Sequence, residues 1–337
     1  TTHDSKRWRS KHTQTTPPVA ASDRSGGDGL QQGVWGRMSW SEELMASLDA
    51  RASVLRTARG EVQLAREGDG HPVLVVHGGP GGFDQALAYS RHLRDGGCEL
   101  LAPSRPGYLR TPLQSGRSPE AQADLYAAAL DTLGIKRAAI LGHSSGGPSA
   151  VHFAARHPER TQALFLDAAI LLPFTPPIGA LRRATYESSV LVWFAYWLSR
   201  RWPELMARLM VSGVSDGLSR AQRRAAADWM TADQARLQSL QAQWASSAPR
   251  RYRAPGQSND EVNEADLSPL PFADIRAPTL IAHGTNEAIV PVGHATNAAD
   301  NVADAQLRRV QEGHHILSAS RSYGLVAQRQ LELAKGS

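Results

Sequence analysis

Short apolar runs that alternate with helical stretches recur along this chain and restrict its possible folds more than any other feature. The clearest run is PVLVVH at 72–77, in which apolar and polar residues do not alternate. A strand of that kind is buried on both faces, as in a parallel sheet covered by helices. Further strands are predicted at 98–103, 137–142, 162–168 and 278–283, and helices at 84–94, 119–133, 147–157 and from 319. The pattern predicts an α/β fold with a mostly parallel sheet.

A long interruption of this pattern predicts an inserted helical segment. VLRTAR and EVQLAR, on either side of Gly60, predict a hairpin where the regular pattern begins. About a hundred residues with helical periodicity then separate the strand that ends near Asp167 from the next strand. Open parallel sheets bind ligands at the carboxyl ends of their strands, so an insertion there is expected to form a lid. We predict an N-terminal extension at 1–50, flexible in part, a core at 51–172 and 267–337, and a helical lid at 173–266.

The composition argues against several other classes of protein. Cys98 is the only cysteine in 337 residues, so neither an intrachain disulfide nor a cysteine-rich zinc site can form. The formal charge is +5, but the basic residues are scattered rather than clustered, which argues against a nucleic-acid surface. No apolar segment in the polar first forty residues resembles a signal peptide, and no later run is long enough to span a bilayer. The expected location is therefore the cytoplasm.

The stretch AAILGHSSGGPSAV contains the strongest sign of chemistry. Gly142, Ser144 and Gly146 form G-x-S-x-G between an apolar strand and an apolar helix. In that context the pattern indicates a nucleophilic serine on a tight strand-to-helix turn, where glycines allow a strained backbone and a close approach. Ser145 is the rival nucleophile, but His143 stands two residues before it and would crowd the turn. We therefore predict that Ser144 is the nucleophile.

A second glycine-rich turn, LVVHGGPGG, directly follows the first apolar run. A tetrahedral intermediate needs backbone N–H donors aimed at its oxyanion, and glycines let the main chain come that close. The N–H groups of Gly79 and Ser145 are the predicted oxyanion hole, and Gly78 is a predicted substrate contact. A phosphate loop is the alternative, but the turn has no G-K-[ST] ending and no G-x-G-x-x-G that opens a helix.

Together these motifs resemble the α/β-hydrolase family over nearly all of residues 53–335. The matching motifs are HGGP, SRPGYLRT, GHSSG, PTLIAHG and EGHH. The resemblance implies an eight-stranded, mostly parallel sheet flanked by helices, with a nucleophile, an acid and a histidine in that chain order. Within EGHH, Gly313 and His314 match the glycine-histidine of the family's last loop. His314 is therefore the expected general base, and His315 is expected to be structural or to face the cap.

The acid of the triad departs from the family's usual pattern. The family's turn reads glycine, two residues, aspartate, two residues, valine, proline, whereas this chain has GTNEAIVP from Gly284 to Pro291. Spacing selects Glu287, because a glutamate can hold the imidazole in its tautomer if the turn allows for one more methylene. Asp167, at the end of the sixth strand, is the alternative acid, since some family members place the acid there. Its other expected role is to accept hydrogen bonds from loop backbone near the cap.

The identity of the nucleophile restricts the reaction that the resemblance implies. Epoxide hydrolases and haloalkane dehalogenases carry aspartate at the elbow, so Ser144 excludes both activities. Acyl transfer to serine and then to water remains, with no metal or organic cofactor. We predict a serine hydrolase of a carboxylic ester. A prolyl-type aminopeptidase or amidase, a C–C bond hydrolase, and a non-catalytic ligand-binding protein of the same fold are the alternatives.

The lid indicates the chemistry of the substrate. It holds five of the eight tryptophans, and an apolar, aromatic lid favours a small hydrophobic ester. Trp193 and Trp197 are predicted to contact the substrate. Twelve arginines, no lysine and nine acidic residues make the lid mildly basic. A basic lid suits a carboxylate-bearing substrate better than the ammonium group that an aminopeptidase must capture. The sequence predicts no particular oligomeric state.

Overall fold

The structure is a computed structural model that describes residues 31–175, 188–214 and 217–336. Residues 41–337 form one compact unit and residues 1–40 form another, in which only the helical residues 31–40 are described. Most of the predicted N-terminal extension, and the part of the predicted lid at 176–187, lie outside the described residues.

The first half of the chain alternates strands and helices. In chain order the elements are helix α1 (Gln31–Asp49), strands β1 (Ser53–Thr57), β2 (Gly60–Glu67) and β3 (His71–Val76), helices α2 (Phe83–Tyr89) and α3 (Arg91–Asp95), strand β4 (Cys98–Pro103), helix α4 (Pro119–Thr132), strand β5 (Ala138–His143), helix α5 (Gly147–Arg156) and strand β6 (Thr161–Asp167). Each strand and helix that the apolar pattern predicted here is present, with α2 and α3 replacing one longer helix because the chain turns at Ser90.

The second half inserts helices before the sheet is completed. Its elements are helices α6 (Ser189–Arg201), α7 (Pro203–Val214), α8 (Arg220–Thr231), α9 (Gln234–Ala245) and α10 (Ala254–Ala265), strand β7 (Thr279–Gly284), helix α11 (Gly293–Asn301), strand β8 (Ala305–Val310) and helix α12 (Gly324–Lys335). No helix in the described ranges is both long and apolar enough to cross a membrane.

The strands form one eight-stranded sheet in the order β1-β2-β4-β3-β5-β6-β7-β8. The pairs β1–β2 and β2–β4 are antiparallel, and the remaining pairs are parallel. This architecture confirms the predicted fold class. Because β3 and β5 are neighbours, with Val76 opposite Gly142, the HGGP loop and the GHSSG turn leave the sheet side by side.

Burial on both faces explains the unbroken apolar runs in the sequence. In β3, Val73 and Val75 pack into one core cluster, and Leu74 and Val76 pack into the cluster on the opposite face. All four side chains are at most 1% exposed. A polar residue at any of these positions would lose water without gaining a partner, which costs a few kcal/mol, about 1–3 in protein interiors.

The end of α1 departs from the predicted domain boundary. Residues up to 50 were expected to lie in the N-terminal extension, but Met45 and Leu48 are buried, 1% and 5% exposed. Both belong to the core cluster that contains Val73 and Val75. The apolar pair at i and i+3 on one helix face accounts for the difference, because that face packs on the sheet unit. The compact unit therefore begins near Ser41.

Four of the helices between β6 and β7 fall into two groups. Helices α7, α8 and α9 share a small apolar core, which comprises Ala207, Val211, Ala227, Met230, Leu237 and Leu240. Helix α10 instead returns to the sheet unit, where the Gly256 N–H donates to the Gly107 carbonyl at 2.9 Å. Gly107 has a φ of 83°, and a Cβ on it would lie 2.7 Å from Gly256 Cα, so only glycine permits this approach. The boundary of a separate lid domain stays a prediction.

Candidate active site

The turn after β5 holds Ser144 in a strained backbone conformation. Ser144 has a φ of 51°, in the left-handed region that side chains disfavour. A Cβ on Gly146 would lie 2.3 Å from the Val76 carbonyl oxygen, and a Cβ on Gly142 would lie 2.6 Å from Ala150 Cβ. The glycines of G-x-S-x-G are thus required by contact with β3 and α5. The strained turn places the Ser144 hydroxyl at the carboxyl end of the sheet.

Three side chains from three separate loops meet at this point. The Nε2 atom of His315 lies 3.1 Å from Ser144 Oγ, and its Nδ1 atom lies 2.9 Å from Glu287 Oε2. Ser144 and His315 are 5% and 9% exposed, and the Glu287 side chain is 2% exposed. A carboxylate, an imidazole and a hydroxyl in line, shielded from water, can move a proton from the hydroxyl to the imidazole.

Glu287 is held by its own turn. Its Oε1 atom accepts hydrogen bonds from the N–H groups of Ile289 and Val290, at 2.6 and 3.1 Å. Burial acts to raise the pKa of Glu287, but the charge and hydrogen bond of His315 and these two N–H donors together lower it below its usual value. The carboxylate is therefore ionised and oriented. The longer side chain fits because one oxygen binds the turn and the other binds the imidazole.

The structure does not bring His314 to the serine. His314 is 2% exposed, and neither of its ring nitrogens has a hydrogen-bond partner. Burial lowers its pKa to about 4, so the ring is uncharged near neutrality. The prediction of His314 as the general base, with His315 as a structural or cap-facing residue, is therefore corrected. His315 occupies the position that the sequence assigned to its neighbour.

The loop after β8 explains why the second histidine is the one that reaches Ser144. Glu312 has a φ of 54°, and the Gly313 N–H donates back to the Val310 carbonyl at 3.0 Å, so the chain turns tightly there. A Cβ on Gly284 would lie 2.3 Å from the Gly313 carbonyl oxygen, which shows how closely the two loops pack. In this arrangement the His315 ring faces Ser144, and the His314 ring is buried without a hydrogen-bond partner.

Asp167 lies elsewhere in the core. Its carboxylate accepts hydrogen bonds from the hydroxyls of Tyr89 and Tyr323, at 3.1 and 2.6 Å, and from Gln330 Nε2, at 3.0 Å. The expectation that it would bind loop backbone was wrong, since these three partners are side chains. Burial raises the pKa of Asp167 to about 6 in spite of these donors. The partners of its carboxylate form a packed structural cluster; His143 Nδ1 lies 3.1 Å from the Asp167 backbone carbonyl oxygen, and among the described residues no histidine bonds to the carboxylate.

The HGGP loop packs directly on the nucleophile turn. A Cβ on Gly78 would lie 2.9 Å from Ser144 Cβ, and a Cβ on Gly79 would lie 3.4 Å from Ser145 Oγ. His77 fixes the start of the loop, with Nδ1 2.7 Å from the Gly78 carbonyl oxygen and Nε2 2.9 Å from the Arg105 nitrogen. Burial is the largest of the effects that lower the pKa of His77, so the ring is neutral. It donates a hydrogen bond through Nδ1 and accepts one through Nε2.

A buried polar cluster lies behind Ser145. Arg105 donates to both carboxylate oxygens of Asp260 and, at 3.2 Å, to the Ser145 carbonyl, and the Tyr108 hydroxyl also donates to Asp260. Glu264, one helical turn after Asp260, lies beside the Ser145 hydroxyl. The sequence reasoning missed this cluster. The available signal was an acidic pair four residues apart on α10 and an arginine in the SRPGY turn.

The two predicted lid contacts lie on α6. Trp193 is half-buried, and Trp197 is 43% exposed. The rings found in contact with Trp197 are those of Phe194 and Trp202, with centroids 5.8 and 5.5 Å away. Trp197 is thus part of an aromatic surface cluster, and a substrate contact for either tryptophan stays a prediction. Within the described ranges, no group of three or more histidine, cysteine, aspartate or glutamate side chains could hold a metal ion.

Comparisons with known proteins identify the family of this chain. Residues 71–321 match the family described as alpha/beta hydrolase fold. A solved structure, an alpha/beta hydrolase fold protein from Nakamurella multipartita, is 33% identical with a TM-score of 0.79, over 84% of this chain and 99% of that one. The resemblance found in the sequence is thereby confirmed.

Two curated relatives are similar at lower identity. An uncharacterized hydrolase, YcgS, of Bacillus subtilis is 26% identical over 77% of this chain and 89% of its own length. A 2-hydroxy-6-oxo-2,4-heptadienoate hydrolase of Pseudomonas putida is 27% identical over 84% of this chain and 96% of its own length. Both names describe hydrolases, in agreement with the chemistry that the site allows.

Proposed function

The chain belongs to the alpha/beta hydrolase family and is a hydrolase, and we propose that it is a serine hydrolase that cleaves a carboxylic ester of a small, largely hydrophobic substrate. The observation that carries the proposal is the position of His315 between Ser144 and Glu287, at 3.1 and 2.9 Å. The roles assigned are nucleophile for Ser144, general base for His315 and orienting acid for Glu287. Neither His314 nor Asp167 contacts this constellation through a hydrogen bond that the structure contains.

The geometry supports a two-step mechanism. The Nδ1–H of His315 donates a hydrogen bond to the Glu287 carboxylate, so Nε2 faces Ser144 without a proton. Nε2 can then take the hydroxyl proton as the serine oxygen attacks the substrate carbonyl. The same imidazole then protonates the leaving alcohol. In the second step it removes a proton from water, which attacks the acyl-enzyme and releases the acid. The N–H groups of Gly79 and Ser145 are the proposed donors to the tetrahedral oxyanion, each worth on the order of 10²–10³ in kcat.

The substrate's polarity is inferred from the insertion. The apolar, aromatic helix α6 favours a hydrophobic acyl or alcohol group. The excess of arginine over acidic residues in the predicted lid is compatible with a free carboxylate elsewhere on the substrate. A monoester of a diacid fits both properties, and the partner that we propose is a small molecule of this kind.

Hydrolysis of a carbon–carbon bond is a second candidate function. The Pseudomonas putida relative is named for a substrate that has neither an ester nor an amide group, so its hydrolysis must break a carbon–carbon bond. Other curated relatives carry names of the same type, such as 2-hydroxymuconate semialdehyde hydrolase. A serine, a histidine and an acid can serve both reactions, because each begins with attack on a carbonyl carbon.

A substrate panel together with a covalent probe tests the proposed function. We expect a fluorophosphonate probe to label Ser144, as located by mass spectrometry of the labelled peptide, and Ser144→Ala to abolish the labelling. Turnover of p-nitrophenyl esters of increasing chain length, a proline anilide and a 2-hydroxy-6-oxo dienoate would then rank the candidate reactions. Faster turnover of the dienoate would select the second candidate. Absence of labelling in the folded wild-type chain would overturn both in favour of a ligand-binding protein.

The identity of the acid can be tested separately. We expect Glu287→Gln to lower kcat by about 10³–10⁴, because an amide no longer holds His315 in the right tautomer or stabilises the imidazolium. Asp167→Asn is the matched change at the competing acid, and it should leave the ratio of kcat to KM near that of the wild type. Steady-state ester hydrolysis measures both. If the loss followed Asp167→Asn instead, the assignment of Glu287 would be wrong.

A further inference from the structure

Helix α10 brings two acidic side chains against the residue that follows the nucleophile. Asp260 and Glu264 are 6% and 5% exposed, and they lie one helical turn apart on the same face. Arg105, 1% exposed, forms a two-pronged ion pair with Asp260. One buried guanidinium therefore faces two buried carboxyl groups, and a second negative charge would have no counterion there.

Ser145 is held from two sides by this cluster. Arg105 Nη1 donates to the Ser145 carbonyl at 3.2 Å, and the Ser145 hydroxyl lies beside the Glu264 carboxyl group. A Cβ built on Gly79 would lie 3.4 Å from Ser145 Oγ and 3.6 Å from Asp260 Oδ2. The cluster thus contacts Ser145 and lies beside Gly79, the two residues whose N–H groups form the proposed oxyanion hole. It contacts neither His315 nor Glu287 in the hydrogen bonds described.

The protonation state of Glu264 follows from its surroundings. Burial, and after it the charge of Asp260, raise the pKa of Glu264 to about 8 against the opposing effects of the Ser145 hydroxyl and Arg105. The other titratable groups that face it are Glu261 on the same helix and Tyr108 in the SRPGY turn. The Glu264 Oε1 atom is buried and has no hydrogen-bond partner. A neutral acid in this place leaves the local charge balanced, whereas an ionised one leaves an unpaired negative charge.

We propose that Arg105 and Glu264 are positioning residues for the oxyanion hole, which hold the carbonyl and hydroxyl groups of Ser145 respectively, and that Glu264 does so as the uncharged acid. This inference rests on the proposed function, because it assigns a purpose to the residue after Ser144. An oxyanion develops negative charge in the transition state, so an ionised Glu264 beside the hole opposes the reaction. Activity is therefore lost as the pH rises through the range in which Glu264 loses its proton.

The test is the pH dependence of reaction at Ser144. In the wild-type chain, the second-order rate constant for fluorophosphonate labelling should fall about tenfold between about pH 7 and pH 9.5, since a like charge is introduced beside the hole. Glu264→Gln cannot ionise, so its labelling rate should not fall at alkaline pH. At pH 7 this variant should keep most of the wild-type rate, whereas Glu264→Ala should lose it. Glu261→Gln is the matched control, because Glu261 is exposed on the same helix and its replacement should leave the wild-type profile in place.

Each outcome decides the matter. A Glu264→Gln profile with the wild-type alkaline fall would overturn the inference, and so would a wild-type rate that keeps rising to about pH 9.5. The second result needs no variant, so the test stands even if Glu264→Gln does not fold. Absence of labelling at every pH would instead mean that the proposed function itself is wrong. Ester turnover, where present, should show the change in kcat rather than in KM, because the oxyanion forms only after binding.

Discussion

Replacement of His315 by glutamine should lower kcat for ester hydrolysis by about 10⁶, the loss expected when the base of a serine triad is removed. Its Nε2 atom is the proton acceptor nearest to Ser144 Oγ, at 3.1 Å, and its Nδ1 atom is the group that Glu287 orients. Without it Ser144 stays a neutral hydroxyl, and the leaving group receives no proton. The residual rate would come from the oxyanion donors and substrate binding alone. Single-turnover and steady-state assays with a p-nitrophenyl ester give the measurement.

His314→Gln is the matched control for that change. The same substitution, one residue earlier, removes a ring that has no hydrogen-bond partner and lies away from the serine. We expect the variant to stay within a few-fold of the wild-type kcat, with its effect limited to stability, since a buried ring is replaced by a smaller amide. A large loss of kcat in His314→Gln and a small one in His315→Gln would reverse the assignment of the general base.

The second large effect concerns stability. Asp84→Asn should lower the free energy of unfolding by about 3–5 kcal/mol, because it leaves the Arg253 guanidinium buried without a counter-charge. The two residues form a two-pronged pair at 3.0 and 2.8 Å, and the Arg253 side chain is 0% exposed. Arg253 also donates to the carbonyls of Gly81 and Ala248, at 2.6 and 2.9 Å. The pair therefore ties the HGGP loop to the segment that precedes α10.

Asp228→Asn supplies the comparison. Asp228 pairs with Arg208 at 3.2 Å, and both side chains are 50% exposed, so water already solvates the charges. Exposed ion pairs contribute about 0–1 kcal/mol, and the same substitution there should lie in that range. Urea unfolding followed by circular dichroism measures both variants. Equal losses for Asp84→Asn and Asp228→Asn would show that the buried pair does not stabilise the fold as described.

Much of the fold could be predicted because a strand that is buried on both faces has an unbroken apolar sequence. PVLVVH is apolar without alternation because its side chains enter two core clusters, one on each face of the sheet. Strand β8, AQLRRV, could not be identified in this way. It is the edge strand, with Arg308 and Arg309 exposed, so its sequence resembles a polar surface segment. Local composition therefore predicts the buried central strands of this sheet well and its edge strand β8 poorly.

The site was partly predictable for a related reason. Ser144 and Glu287, which both lie within hydrogen-bond reach of His315, were predicted because short motifs fix their spacing from glycine and proline residues that the turns require. EGHH contains two adjacent histidines, and the choice between them depends on a backbone turn at Glu312 that no motif encodes. Composition also does not indicate which arginines of the insertion are buried, and Arg253 is fully buried. Its partner Asp84 is 169 residues away in sequence, and such pairs follow from the tertiary fold alone.

The close contact between Gly107 and Gly256 has a mechanical consequence. Two glycine backbones in contact, joined by the hydrogen bond from Gly256, leave α10 no room to slide or tilt against the SRPGY turn. Any displacement of the insertion that admits a bulky substrate is then expected outside α10, so the amides around Ser145 keep their places. Substrate access and catalysis would thus be separable properties, open to independent change by substitution.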